Sequence, residues 1–110
     1  MSEPPPVPPV VEVDAWMIAL VPRFLDNRRK DVAALKAAVA SADRAAVAAI
    51  GHRLKGDAGS YGFTTLAEIG ARIERAAYGR ELTAARECAG EIATYIASVQ
   101  VVCRDRPVGT

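Results

Sequence analysis

The stretch "GHRLKGDAGSYGF", Gly51 to Phe63, contains the one histidine of the chain, His52. Imidazole is the side chain that changes charge near neutral pH, and its neutral ring offers a nitrogen lone pair. Lys55 follows three residues later, which on a helix puts both side chains on the same side. Gly56 and Gly59 lie about one and two turns beyond the histidine, and Ala48 and Ala49 about one turn before it. Every neighbour along that line is small. A glycine inside a helix costs up to about 1 kcal/mol relative to alanine, so two of them beside the histidine imply a gain elsewhere. The gain we read is access: bare backbone lets another molecule reach the ring closely. A nucleophilic nitrogen with a clear approach, and a cation ready for an incoming anion, is what a phosphoryl acceptor needs. Zinc would take three or four ligands, which a single histidine does not supply.

These residues must be carried by a helix that faces water on one side. "SAD" at 41–43 reads as a turn with Asp43 as N-cap, and Gly62 ends the helix in a left-handed conformation. Val47, Ile50, Leu54, Ala58 and Tyr61 form its core stripe, and His52 lies about 140° from the middle of that stripe, toward solvent. Upstream, Asp14 can cap a short helix, "AWMIAL". Pro22 then kinks it or opens the next helix, which runs to about Ala40 with Val21, Phe24, Leu25, Val32, Leu35 and Val39 on one face, interrupted by Arg28. Downstream, Thr65 and Glu68 read as a capping box, Leu66, Ile69, Ile73, Ala76 and Ala77 as a buried stripe, and Gly79 as the stop. A last helix starts near Leu82 or Thr83, with Leu82, Ala85, Ala89, Ile92, Ile96, Val99 and Cys103 as its stripe. The pattern predicts an all-α protein, an up-down antiparallel four-helix bundle with a short extra N-terminal helix. The bundle spans 14–103, between a disordered proline-rich tail at 1–13 and a frayed C-terminal tail at 104–110.

At 110 residues, one core is expected. The 14 basic and 13 acidic residues nearly cancel, so no bulk field draws a polyanion, and nucleic acid ranks low as a partner. The N-terminus has neither the basic start nor the apolar stretch of a signal peptide, and no long apolar run exists to span a membrane. Nothing in the sequence suggests a disulfide framework, so a reducing cytoplasm is the expected location. On one helix, Cys88 and Cys103 would stand about 22 Å apart, too far to bond. "NRRKD" at 27–31 reads as a solvated helix face, with docking of an acidic partner as its second reading. The prolines of the tail favour an extended chain, with a proline-rich ligand as the alternative.

"HRLKGDAGSYGF" followed by "LAEIGARIE" resembles the signature of histidine phosphotransfer (HPt) domains, through His52, Leu54, Lys55, Gly56, Gly62, Leu66 and Glu74. The resemblance covers roughly Pro22 to Gln100. It implies a phosphocarrier of a multistep, two-component phosphorelay. His52 would accept a phosphoryl group from a receiver-domain aspartate and pass it to another receiver aspartate. The partners would be receiver domains of hybrid histidine kinases and response regulators, met transiently by a monomer. It implies no cofactor of the chain's own: Mg and the acidic residues that hold it would come with the receiver, and no nucleotide loop is present, so the chain is not expected to be an enzyme. Lys55 would stabilise the phosphate. Glu74 falls where the family often has a group close to the histidine, and its carboxylate would accept a hydrogen bond from the inner ring nitrogen. Two departures bear on partner choice, Asp57 after Lys-Gly and Tyr78 where some relatives have a basic residue. Ala48, Ala49, Gly56 and Gly59 would form the docking surface, together with exposed edges of the first helices that include Trp16 and Met17. The competing reading is a helical adaptor that binds receivers or other signalling proteins without carrying phosphate.

Overall fold

The computed structural model describes residues 7–104. A strand, β1 (Val10–Val13), and a one-turn helix, α1 (Ala15–Ile18), come first. Four longer helices follow: α2 (Val21–Ala40), α3 (Arg44–Tyr61), α4 (Thr64–Tyr78) and α5 (Leu82–Ser98), and then a second strand, β2 (Gln100–Cys103). α2 packs on α3 and α5, and α4 packs on the same two helices, so the four close into a ring. Their connections are short turns, which make sequential neighbours antiparallel. This is the expected up-down bundle with its short extra N-terminal helix.

The stripes read from spacing are the ones that pack. Val47, Ile50, Leu54 and Ala58 of α3 are buried with Leu66, Ile69, Ile73, Ala76 and Ala77 of α4 and with Ala85, Ala89, Ile92 and Ile96 of α5. Asp43 caps α3, its side chain accepting from Ala46 N–H at 3.0 Å, and Gly62 closes the helix at φ 83°. Pro22 sits in the first turn of α2, where its missing N–H costs no hydrogen bond.

Four local expectations change. The Thr65–Glu68 capping box does not form: Phe63 takes the N-cap position of α4 and no side chain caps it. Phe63 is fully buried and stacks on Phe24 at 4.7 Å, so apolar anchoring sets the helix start. Gly79 ends α4 as expected, and Arg80 after it takes the left-handed conformation of the turn, at φ 60°. Met17 belongs to the core rather than to an exposed edge, whereas Trp16 is exposed. Arg28 does not interrupt the buried face of α2; it and Asp31 are part of it, at 3% and 4% exposure. Arg28 Nε lies 2.8 Å from Asp31 Oδ2, its Nη2 3.4 Å from Asp57 Oδ2, and its guanidinium 4.7 Å over the Phe24 ring. Arg53 Nη2 completes the set by donating to Asp31 Oδ1 at 2.7 Å. A charge can be buried when charges of opposite sign surround it, so "NRRKD" divides into an outer half and a buried half.

The fourth change is at the ends. Residues 10–13 are not tail: β1 pairs in parallel with β2, Val10 opposite Gln100 through Val13 opposite Cys103. Pro9 and Val13 carbonyls accept from Gln100 and Arg104 N–H at 2.8 and 2.7 Å, and Val13 is 1% exposed. The β-branched runs "VVEV" and "QVVC" favour strands over a longer α5. Helix α5 accordingly stops at Ser98, with Val99 extended, so Cys103 lies on a strand and not on the helix of Cys88. Both cysteines are free. The remaining tail expectations, for 1–6 and 105–110, lie outside the described residues. Among the described residues no helix is long and apolar enough to cross a membrane.

Candidate functional site

Helix α3 presents His52 to solvent, with 73% of its side chain exposed. Its ring is held from the neighbouring helix. Nδ1 lies 3.0 Å from Glu74 Oε2, and the other oxygen of that carboxylate, Oε1, accepts from Lys55 Nζ at 2.8 Å. One carboxylate of α4 thus bridges the two residues that α3 contributes. The Glu74 side chain is 16% exposed, far less than His52 or Lys55, so it forms the floor of the site.

Two glycines allow that bridge. A Cβ on Gly51 would stand 2.7 Å from Glu74 N and 2.8 Å from the Gly70 carbonyl oxygen. A Cβ on Gly70 would stand 2.6 Å from Lys55 N. The backbones of α3 and α4 therefore touch beside the histidine, and the contact brings Glu74 within reach of both Nδ1 and Nζ. Neither Gly51 nor Gly70 stands out from the sequence as part of a site. Each sits next to a core position, Ile50 or Ile69, and only their meeting across two helices gives them a role. Gly56 and Gly59 differ: both are exposed, and a Cβ on either would meet nothing within 4 Å. Ala49 is exposed and Ala48 half-buried, so the surface of α3 around the ring is low on both sides.

The electrostatics decide which ring nitrogen is free. The Lys55 hydrogen bond, aided by that of His52, holds the Glu74 carboxyl below its ordinary value against the opposing effect of partial burial. An ionised carboxylate only accepts. The neutral ring therefore carries its proton on Nδ1, and Nε2 keeps its lone pair pointing away from Glu74. The arrangement is a nucleophilic nitrogen with a fixed tautomer, an ammonium beside it, and no side chain built over it by its glycine neighbours.

The other residues singled out from sequence lie around this centre or away from it. Asp57 turns toward α2, where Arg28 meets it. Tyr78 is 71% exposed, and with Arg44, Ala45, Ala48 and Ala77 it lines a cleft of about 250 Å³ between α3 and α4. Arg44 is fixed at its edge, Nε donating to the Ala77 carbonyl at 3.1 Å. Arg53, next to His52 in sequence, points the other way, to the buried Asp31.

No curated protein and no solved structure matches the chain. The Hpt domain family matches residues 19–101, a span that runs from the start of α2 through α5 into β2 and includes His52, Lys55 and Glu74. With a helical bundle that raises one histidine on its second long helix, and a family match over most of its length, the chain belongs to the Hpt domain family.

Proposed function

We propose that this protein is a phosphocarrier between receiver domains, with His52 Nε2 as the atom that holds the phosphoryl group. Membership of the Hpt domain family places the chain in phosphorelay signalling. The observation that carries the finer reading is the exposed ring whose Nδ1 meets an ionised Glu74, because it leaves Nε2 free to attack. In the forward step the Nε2 lone pair forms the N–P bond as the acyl O–P bond of a receiver's aspartyl phosphate breaks. The aspartate leaves as a free carboxylate. The Nδ1 proton stays on the ring, against Glu74. Lys55 offsets charge on the phosphoryl oxygens. Passing the group on reverses these bonds at a second receiver. Mg belongs to the receiver, whose acidic residues hold it, and this chain adds the acceptor, the cation and the docking surface of Ala48, Ala49, Gly56 and Gly59. The carrier acts as a cytoplasmic monomer through short-lived complexes, since it must leave one receiver to find the next.

The test is a label-transfer experiment with a panel of receiver domains phosphorylated on aspartate. Acid-labile label is expected on the wild-type chain within the panel and none on His52→Gln. Receivers that bind but leave no label would instead support the adaptor.

A further inference from the structure

Lys55 is not waiting free beside His52. Its ammonium is already paired, at 2.8 Å, with the same carboxylate that orients the histidine ring. A phosphoryl group on Nε2 would bring about two negative charges to the site. The ammonium would then stand between two anionic acceptors, Glu74 Oε1 and the phosphoryl oxygens. A lysine is a compact charge on a flexible stem, and this one is 45% exposed, so it can turn from one acceptor to the other. Glu74 cannot follow, because its side chain is packed between α3 and α4 at 16% exposure and its other oxygen is held to Nδ1.

We propose that Glu74 limits how long His52 keeps a phosphoryl group, by competing with that group for the Lys55 ammonium. This rests on the phosphocarrier reading and adds a control to it. The phosphoryl group is held by a cation it must share, and it also faces the fixed negative charge of the carboxylate. Both effects weaken retention on His52 and favour release. A glutamine in the same place would have a different outcome. Its amide oxygen can still accept from Nδ1–H, so the tautomer survives, but its NH₂ cannot accept from an ammonium. Lys55 would then be released to the phosphoryl group in full.

The experiment uses four forms of the full chain: wild type, Glu74→Gln, Lys55→Ala, and the two substitutions together. Each is loaded from a phosphorylated receiver domain, separated from it, and followed as water attacks phosphorus, the N–P bond breaks and inorganic phosphate leaves. Glu74→Gln should lengthen the half-life of the label about two- to fivefold, the scale of one partly exposed charge pair. In the Lys55→Ala background the same substitution should lose most of that effect, and the ring nitrogen NMR shifts of His52 should show the proton still on Nδ1 in Glu74→Gln. A half-life unchanged or shortened by Glu74→Gln, or lengthened equally with and without Lys55, would overturn the competition. Those results would leave the phosphocarrier reading intact, whereas a wild-type chain that takes no label from any receiver would remove both.

Discussion

At the scale of single residues, the state of His52 is set by a charge on another helix. Glu74 is ionised more readily than an ordinary glutamate, chiefly through its hydrogen bond to Lys55 and secondarily through His52. Its folded-state pKa lies below the unfolded value, so its ionisation adds stability above about 4.5, the ordinary value, and that contribution is lost as pH falls through the folded midpoint. Two titrations test which contact holds the carboxylate ionised. A carbon-detected NMR titration of the Glu74 carboxyl should give a midpoint below the ordinary value in the wild type. In Lys55→Ala the midpoint should move upward, because the largest lowering contact is gone while partial burial still opposes ionisation. The same midpoint in both proteins would show that Lys55 does not hold the carboxylate in solution. The chemistry at this scale was legible where it depended on one helix. His52 and Lys55 share a face by spacing alone, and Gly56 and Gly59 mark the open side. Glu74 was reached only through the family likeness, because no periodicity within α3 points to a partner on α4.

At the scale of elements, α3 and α4 are held so close that side chains are excluded at the contact. Gly51 and Gly70 meet there, and an added methyl on either would lie within 3 Å of backbone atoms that cannot move alone. Gly51→Ala should therefore cost about 1–3 kcal/mol in urea unfolding, as an overpacked core does. It should also slow phosphoryl acceptance, since separating the helices withdraws Glu74 from His52. Gly56→Ala is the opposite case: its methyl meets open space on an exposed turn, and better helix propensity should stabilise the bundle by up to about 1 kcal/mol. Gly56→Gln should keep a folded bundle yet slow transfer from receivers about tenfold or more, because a long side chain now stands in the approach to the ring. Equal transfer by Gly56→Gln would end the idea that bare backbone serves access. The two classes of glycine look alike in sequence, as breaks in an Ala-rich helix. What separates them is whether a neighbouring helix lies against them, and a one-helix pattern does not contain that. Arg28 was misread for the same reason. On the wheel of α2 it interrupts an apolar face, but Asp31, Asp57 and the Phe24 ring together make a buried place for it.

At the scale of the whole molecule, the bundle is tied at its ends by contacts that join distant parts of the chain. β1 lies before the first helix and β2 after the last, so their pairing requires the helices between them to be in place. A two-stranded parallel ribbon of four residues each has no stability of its own. It persists because Val13 is packed into the core and because Arg104 reaches back across it, Nη1 to Asp14 Oδ1 at 3.0 Å and Nη2 to the Glu12 carbonyl at 3.3 Å. Helical periodicity could not show this. The strands are short, their partners lie about ninety positions apart in the chain, and "PPPVPPVVEV" is dominated by prolines that favour an extended solvated chain. If the ribbon is part of the cooperative unit, truncating its buried residue must destabilise the entire bundle. Val13→Ala should then lower the unfolding free energy by about 2 kcal/mol, the scale of one fully buried valine, with helix circular dichroism and tyrosine fluorescence giving the same urea midpoint. Val10→Ala, at a position 57% exposed on the same strand, should stay within about 0.5 kcal/mol of wild type. Well below its midpoint, Val13→Ala should accept phosphoryl groups at the wild-type rate, because the contacts among His52, Lys55 and Glu74 all lie within α3 and α4. A midpoint unmoved by Val13→Ala would make β1 an appendage to the bundle, and the cooperative core would then begin at α1.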